Sequence, residues 1–174
     1  MGDRAVTAGL RSGSLASDWA RRHEERVIAD CHTARTVLAA WFVLVDAIGT
    51  ELQEGRDAAL RDDWPAAQHA LRAMAASLGG ARSALTAAEE SRDRSVGRFA
   101  ADLNSEFARL TFFASRFDAN ADPGPAFEDE LRLLLAATAF DDGAFGRWLR
   151  ESCPGLADEA LQSIASLREG PHVP

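Results

Sequence analysis

The chain contains four histidines, the side chain that most often binds metals and moves protons near neutral pH: His23, His32, His69 and His172. A di-iron bundle would place a Glu-x-x-His motif on each of two helices. Alanine stands three positions before the first three histidines, and only His172, beyond a proline near the C-terminus, follows a glutamate at that spacing. The sequence therefore predicts no metal site and no cofactor.

Cys31 and His32 are adjacent, and these residue types can act together as nucleophile and base. Neighbouring side chains on a helix do not face each other, so the two cannot meet without another segment. Cys31 also belongs to a regular apolar repeat, where a thiol packs as a small hydrophobe. The second cysteine, Cys153, is distant in sequence and neither belongs to a C-x-x-C motif. We therefore expect a core thiol at Cys31, and neither a disulfide framework nor a metal site.

Six carboxylates lie within residues 46–63: Asp46, Glu51, Glu54, Asp57, Asp62 and Asp63. Paired carboxylates can act as general acid and base if a cleft shifts their pKa values. Without evidence of such a cleft, a solvated surface is the favoured interpretation. Arg92, Arg94 and Arg98 form a small basic cluster. The cluster could bind an anion, or it could simply be the polar face at the start of a helix. No phosphate-binding loop, nucleophile elbow or zinc spacing occurs, so the sequence predicts a protein that is not an enzyme.

Composition favours an all-α fold. The chain has 174 residues with 35 alanines, no tyrosine and no lysine, so all 19 basic residues are arginine. Alanine and arginine are strong helix formers, whereas the β-branched residues typical of strands are scarce. The same bias fits a GC-rich bacterial coding sequence.

The clearest element is a long helix that carries apolar residues at alternating spacings of four and three: Val27, Cys31, Ala34, Leu38, Trp41, Val45, Ile48 and Leu52. Residues 37–45 are apolar on every face, which is typical of a central bundle helix buried on several sides. Arg35 and Asp46 bracket this stretch, which is about half as long as the roughly 20 residues that a bilayer requires. We therefore expect a core helix and not a membrane span.

Turn signals divide the rest of the bundle, residues 18–117. Residues 1–17 are predicted to form a flexible arm, with Ser17 or Asp18 capping the long helix. Pro65 predicts a tight reversal into a second helix. Gly79 and Gly80 predict a kink or a close helix crossing within that helix. A polar run over 89–95 favours a second reversal over an exposed stretch of unbroken helix, and a phenylalanine-rich third helix follows, expected to pack on Trp41 and Phe42.

The C-terminal third is predicted to be a separate small unit. Residues 118–125 read as a linker, residues 126–169 as an acidic subdomain of about three short helices, and residues 170–174 as a frayed tail. So few residues cannot form an independent core, so the subdomain should dock on the long helices. The sequence therefore predicts an all-α bundle of three long antiparallel helices, the first one central, with a C-terminal subdomain of short helices.

Charge is concentrated in this last third. Residues 120–174 hold ten carboxylates and four arginines. An acidic surface repels phosphate backbones, which disfavours nucleic acid. It can serve solubility alone, which is the simpler interpretation, or it can bind a protein partner with a basic surface. Six carboxylates make up the predicted partner surface: Glu128, Asp129, Asp141, Asp142, Asp158 and Glu159. No secretory signal is recognisable at the N-terminus, so the cytoplasm is the expected location.

Two functional hypotheses follow. The first is a non-enzymatic adaptor, inhibitor or regulatory subunit that binds another protein or forms a homo-oligomer. The second is a bundle that binds an apolar small molecule, as a sensor or as an enzyme without a motif, in an interior pocket lined by five aromatic residues: Trp41, Phe42, Phe107, Phe112 and Phe113. A closed aromatic core is the simpler interpretation of the same residues, so the first hypothesis is preferred.

Overall fold

The computed structural model of the protein describes the backbone of residues 3–117 and 143–169, and the side chains of residues 15–117 and 143–165. Helix α1 spans Asp3–Ala47 and continues through a π-helical segment, Ile48–Leu52, into α2, Gln53–Leu60. The remaining described helices are α3 (Trp64–Glu89), α4 (Arg94–Arg116), α5 (Ala144–Ser152) and α6 (Pro154–Glu169). The all-α prediction is therefore confirmed.

Helix α1 begins earlier than predicted. The sequence placed an arm over residues 1–17 and a helix start near Asp18, whereas the structure has helix from Asp3. The glycine and serine residues in this stretch cost at most about 1 kcal/mol each in a helix. Once a helix is nucleated, each added residue gains a backbone hydrogen bond, so a stable α1 can extend through such a stretch.

The first reversal lies where the proline predicts it. Asp62 adopts a left-handed conformation with φ of 59°, and its N–H donates to the Ala59 carbonyl at 3.0 Å. The Asp63 N–H donates to the Ala58 carbonyl at 2.9 Å, so the two bonds complete a Schellman motif that ends α2. The Asp63 side chain then accepts from the Ala66 N–H and caps α3. These local bonds turn the chain back on itself within four residues, as a helical hairpin requires.

The second predicted reversal is also present. Helix α3 ends at Glu89, and Asp93 caps α4 by accepting from the Ser95 N–H at 2.8 Å. Gly97 makes this turn compact, because a Cβ at that position would lie 3.0 Å from the Glu89 carbonyl oxygen. The close approach of α4 to the end of α3 therefore depends on a glycine in α4.

Gly79 and Gly80 do not mark a close helix crossing. Helix α3 is continuous through both, and a Cβ added to either would meet no atom within 4 Å apart from neighbouring backbone. Both residues are exposed, so no helix crosses closely there. The prediction of a close crossing at this position is wrong. Two glycines within a helix have the same local sequence whether they face solvent or a neighbouring helix, so the sequence does not distinguish the two cases.

The core is formed mainly by large side chains of α1, the π segment, α3 and α4. Nine of the most deeply buried are Trp41, Leu44, Leu52, Leu71, Met74, Leu78, Leu85, Phe107 and Leu110. Helix α1 contacts α3, α4, α5 and α6, which agrees with the prediction of a central helix. Trp41 is buried near the C-terminal end of α1, and the Phe42 ring meets it edge-to-face with centroids 4.9 Å apart.

Helices α5 and α6, the C-terminal pair, dock on α1 and α4. Both correspond to short helices predicted from the sequence. Their buried side chains are Phe145, Leu149, Cys153, Ala157, Ala160 and Ile164. The predicted linker at 118–125, the first short helix of the subdomain and the tail at 170–174 lie outside the described residues.

One helical stretch, Leu15–Leu60, is long and apolar enough to cross a membrane by length and composition alone. A third of its most apolar window is buried inside the protein. The core helix of a soluble bundle meets the same criterion, so this finding is weak evidence for either environment.

Candidate interaction surfaces and the interhelical disulfide

The start of α1 extends beyond the bundle. Every described residue from 15 to 26, which we call the projecting turns, is exposed. Leu15 and Trp19 are 66% and 65% exposed, and the Trp19 ring stacks on His23 with centroids 5.2 Å apart. With about 100° per residue, His23 lies on the same helix face as the buried Trp41, and Trp19 lies about 40° away. The face that forms the core inside the bundle therefore continues outside it, carrying a large exposed aromatic residue.

Local polar contacts support the projecting turns in the absence of a core. The Arg21 guanidinium lies 3.1 Å from the Glu25 carboxylate and 3.7 Å from that of Asp18. Arg22 Nε donates to the Asp18 carbonyl oxygen at 3.1 Å. Charge pairs at these spacings stabilise an exposed helix by a few tenths of a kcal/mol each, about 0.2 to 0.5. Positive and negative charges alternate here, in contrast to the acidic C-terminal third.

The structure describes only part of the predicted acidic partner surface. Asp158 and Glu159 lie exposed on α6, whereas the other four carboxylates lie outside the described residues: Glu128, Asp129, Asp141 and Asp142. The Glu159 carboxylate is 3.3 Å from Arg35 on α1, and both side chains are 63% exposed. Glu159 therefore lies beside α1 as well as at the surface, and a pair this exposed adds little to the docking of α6.

The five aromatic residues proposed as a ligand pocket do not share one wall. Trp41 and Phe107 are buried, and Phe42 and Phe113 are partly buried against the same core. Phe112 is 61% exposed, and the Arg116 guanidinium lies over its ring, 5.2 Å from the centroid. Phe112 therefore lies outside any interior pocket formed by the others, which corrects its predicted place.

Two of the six carboxylates identified in the sequence, Glu54 and Asp57, lie together at the end of the first hairpin. Glu54, Asp57, Arg61 and His69 line an open cleft of about 430 Å³ between α2 and α3, together with three alanines. Among the described residues, no group of three or more His, Cys, Asp or Glu side chains could hold a metal ion. One carboxylate oxygen of Glu51, in the π segment, is buried without a hydrogen-bond partner in the described part of the chain. The cleft is open, and Glu51 does not line it.

Asp30 is the described carboxyl with a clearly shifted pKa. Partial burial raises the pKa of Asp30, and the nearby Asp93 carboxylate raises it further. Arg26 and Arg92 oppose this effect by favouring the charged form. The predicted arginine cluster thus lies near the α3–α4 turn, where Arg92 contributes to the field at Asp30 and the other two side chains, Arg94 and Arg98, are exposed.

Cys31 and Cys153 form a disulfide, with Cα atoms 5.8 Å apart. The expectation that Cys31 is a core thiol is therefore wrong. The bond joins α1 to the junction between α5 and α6, across 122 residues of sequence. Spacing gave no signal for this pairing, because nothing in either local sequence shows that the two positions meet in space.

The comparisons with known proteins are negative: no family model, curated protein or solved structure matches the chain. Function must therefore be inferred from the chain's own surfaces. Among the described residues, two features are not accounted for by the packing of the long helices, namely the projecting turns and the disulfide.

Proposed function

We propose that this protein is a non-enzymatic interaction module that binds another protein through the projecting turns of α1. The observation that supports this most directly is the exposure of Leu15 and Trp19 on a helix that leaves the bundle. Tryptophan is the residue most enriched among side chains that dominate binding energy at interfaces. A stacked Trp19–His23 pair on a preformed helix would lose little conformational entropy on binding.

The mode of binding would be a helix in a groove. An amphipathic helix presents anchors three, four and seven residues apart, and Leu15, Trp19 and Arg22 follow that spacing. Arginine shares with tryptophan the tendency to anchor interfaces. The partner would therefore supply an apolar groove with acidic groups at its edge, or a second copy of this chain would supply its own α1.

The acidic C-terminal third supports a second contact of the same complex. Its excess of carboxylates favours a partner that also carries a basic surface, and disfavours nucleic acid and anionic membranes. No cofactor is part of the proposal, and the absence of catalytic motifs in the sequence is the reason to propose a binding role. The cytoplasm stays a prediction, and the disulfide is a reason to test it, because cytosolic thiols are generally kept reduced.

Site-specific photocrosslinking tests the proposal. A photoreactive phenylalanine analogue at position 19 should give one discrete adduct in cells that produce the protein naturally, either with another protein or with a second copy. The matched control carries the analogue at Ser83, which is exposed on α3 and should give none. Leu15→Glu should abolish the adduct formed from position 19.

Three results would contradict the proposal or a part of it. Equal labelling from positions 19 and 83 would show that the projecting turns are not a specific surface. Retention of the adduct in the Leu15→Glu variant would show that the apolar face does not make the contact. Substrate turnover by the purified protein would refute the non-enzymatic part independently.

A further inference from the structure

The disulfide connects two parts of the molecule that differ in how they are packed. Cys31 is partly buried on α1, and Cys153 is buried where α5 ends and α6 begins. The Cys153 N–H donates to the Leu149 carbonyl at 2.8 Å, and its carbonyl accepts from the Ala157 N–H at 3.0 Å. Cys153 therefore belongs to the backbone junction of the C-terminal pair, so a bond at this residue fixes both helices.

Among the described residues, the large side chains that pack the C-terminal pair on the core are Phe145, Trp148, Leu149, Leu156 and Ile164. On α5, Phe145 stacks on Phe99 of α4 with centroids 4.3 Å apart, and Leu149 is fully buried. On the part of α6 whose side chains are described, the buried residues other than Ile164 are alanines, which bury little apolar area each. The Arg35–Glu159 ion pair is mostly exposed and contributes little in water. Two described helices of this size cannot form an independent core.

The long helices, in contrast, supply most of the large buried side chains of the core. These come from α1, the π segment, α3 and α4, and the C-terminal pair adds Phe145, Leu149 and Ile164 to the same cluster. Both of their reversals are closed by local backbone bonds and by the caps at Asp63 and Asp93. Release of the C-terminal pair would therefore leave most of this core buried.

From this arrangement we infer that the Cys31–Cys153 disulfide is a redox latch, which holds the C-terminal pair on α1 when oxidised and releases it when reduced. The reductant is a dithiol. One of its thiolates attacks a latch sulfur and forms a mixed disulfide with it while the latch S–S bond breaks and the other cysteine leaves as a thiolate. The second thiolate of the reductant then attacks its own sulfur in the mixed disulfide, expels the remaining cysteine thiolate and closes a disulfide in the reductant. Two electrons and two protons pass to the protein, leaving one thiol each at Cys31 and Cys153. Attack at the Cys31 sulfur is the more accessible route, because Cys153 is buried.

Opening of the latch would change the surface of the protein. Undocking of α5 and α6 exposes Phe99 on α4 and the side of α1 that carries Cys31 and Arg35. This surface adjoins the Asp30 region, one turn of helix beyond the projecting turns. Reduction would therefore enlarge the apolar surface available near the start of α1. The inference does not require the proposed partner, because the release itself can be measured on the isolated protein.

Hydrogen–deuterium exchange of the full chain, with and without dithiothreitol, tests the latch. We expect reduction to speed amide exchange over residues 143–165 at least tenfold, while exchange over 64–116 changes less than twofold. Reoxidation should restore slow exchange. The Cys31→Ser/Cys153→Ser variant should exchange fast over 143–165 with or without the reductant, and Glu159→Gln should respond to the reductant as the unmodified chain does.

Three results would overturn the inference. Unchanged exchange over 143–165 after verified reduction would show that noncovalent packing alone holds the pair. Equal acceleration over 64–116 would show that the disulfide is a staple for the whole fold. Two free thiols in the air-oxidised protein, counted by mass after alkylation, would show that the latch does not form.

Discussion

In the core formed by α1, α3 and α4, interdigitated large side chains such as Trp41, Met74 and Phe107 are fully buried. On the inner side of α6, alanines occupy comparable positions, and a covalent bond to α1 lies beside them. Large side chains gain more from burial, at about 25 cal/mol for each square ångström of apolar surface. A region with small buried side chains needs another means of staying docked. The disulfide provides it.

This difference implies two levels of stability within one chain. Opening of a region costs free energy in proportion to the contacts it loses, so a weakly packed region opens without the rest. Substitutions in the core should therefore lower the stability of the whole molecule, whereas substitutions in the C-terminal pair should act locally. Substitutions at six positions test this division and the packing of the long helices: Trp41, Trp19, Phe145, Gly97, Gly79 and Asp30.

The largest effect is expected from Trp41→Ala. Loss of this buried ring should lower the free energy of unfolding by about 3 to 5 kcal/mol, because the cavity cannot fully collapse. Trp19→Ala, on the same helix but 65% exposed, is the matched control and should change it by less than about 0.5 kcal/mol. Denaturant melts followed by circular dichroism measure both. A loss below about 1 kcal/mol for Trp41→Ala would contradict the central position of α1.

Phe145→Ala should have a smaller and more local effect. The substitution removes the stack on Phe99, and we expect the opening of α5 and α6 to become easier by about 3 kcal/mol in the oxidised protein. Hydrogen exchange should show this as faster exchange in 143–165, with little change in 64–116. Uniform acceleration of both ranges would remove the distinction between the two regions.

Gly97→Ala and Gly79→Ala should have opposite signs. An alanine Cβ at position 97 would lie 3.0 Å from the Glu89 carbonyl oxygen, so we expect a loss of about 1 to 2 kcal/mol. At position 79 the Cβ meets open space, and alanine should stabilise the helix by about 0.5 to 1 kcal/mol. Thermal melts of the two variants compare them directly. Destabilisation by Gly79→Ala would mean that a helix does cross closely there.

The smallest effect is expected from Asp30→Asn and should depend on pH. Because the folded pKa of Asp30 is raised above its ordinary value of 3.8, the folded state holds a proton that the unfolded state has lost. The protonated Asp30 carboxyl therefore contributes its full stabilisation to the folded state below pH 3.8, and this contribution is lost as the pH rises through the raised pKa.

The asparagine variant does not undergo that loss. Its free energy of unfolding should therefore be close to that of the unmodified protein at pH 3 and higher at pH 7. We expect less than about 1 kcal/mol, since Asp30 is only partly buried and its interactions are screened by solvent. Urea melts at several pH values measure the difference. A variant that is less stable than the unmodified protein at pH 7 would show that attraction by Arg26 and Arg92 outweighs burial.

Much of the fold follows from local sequence. The periodicity of α1 and of α4 and the proline at the first reversal each act within a few residues, so the long helices and both turns are readable from the chain. The roles of the glycines are not readable in the same way. Gly97 and Gly79 both lie within helices, and only the packing of α4 beside the end of α3 distinguishes them.

The candidate site was less predictable for the same reason. Cys31 fits an apolar repeat equally well as a thiol or as half of a disulfide, and its partner is 122 residues away. Phe112 belongs to a broad apolar face in sequence, but a helix buries only the stripe that meets its neighbours, and Phe112 lies outside it.

The most direct test of the central claim is a count of thiols by intact mass. The oxidised protein is unfolded without reductant and alkylated, then alkylated again after reduction. The Cys31–Cys153 bond predicts no adduct in the first step, two in the second, and a proteolytic fragment that joins both cysteines. Two adducts before reduction would contradict the covalent attachment of the C-terminal pair to α1.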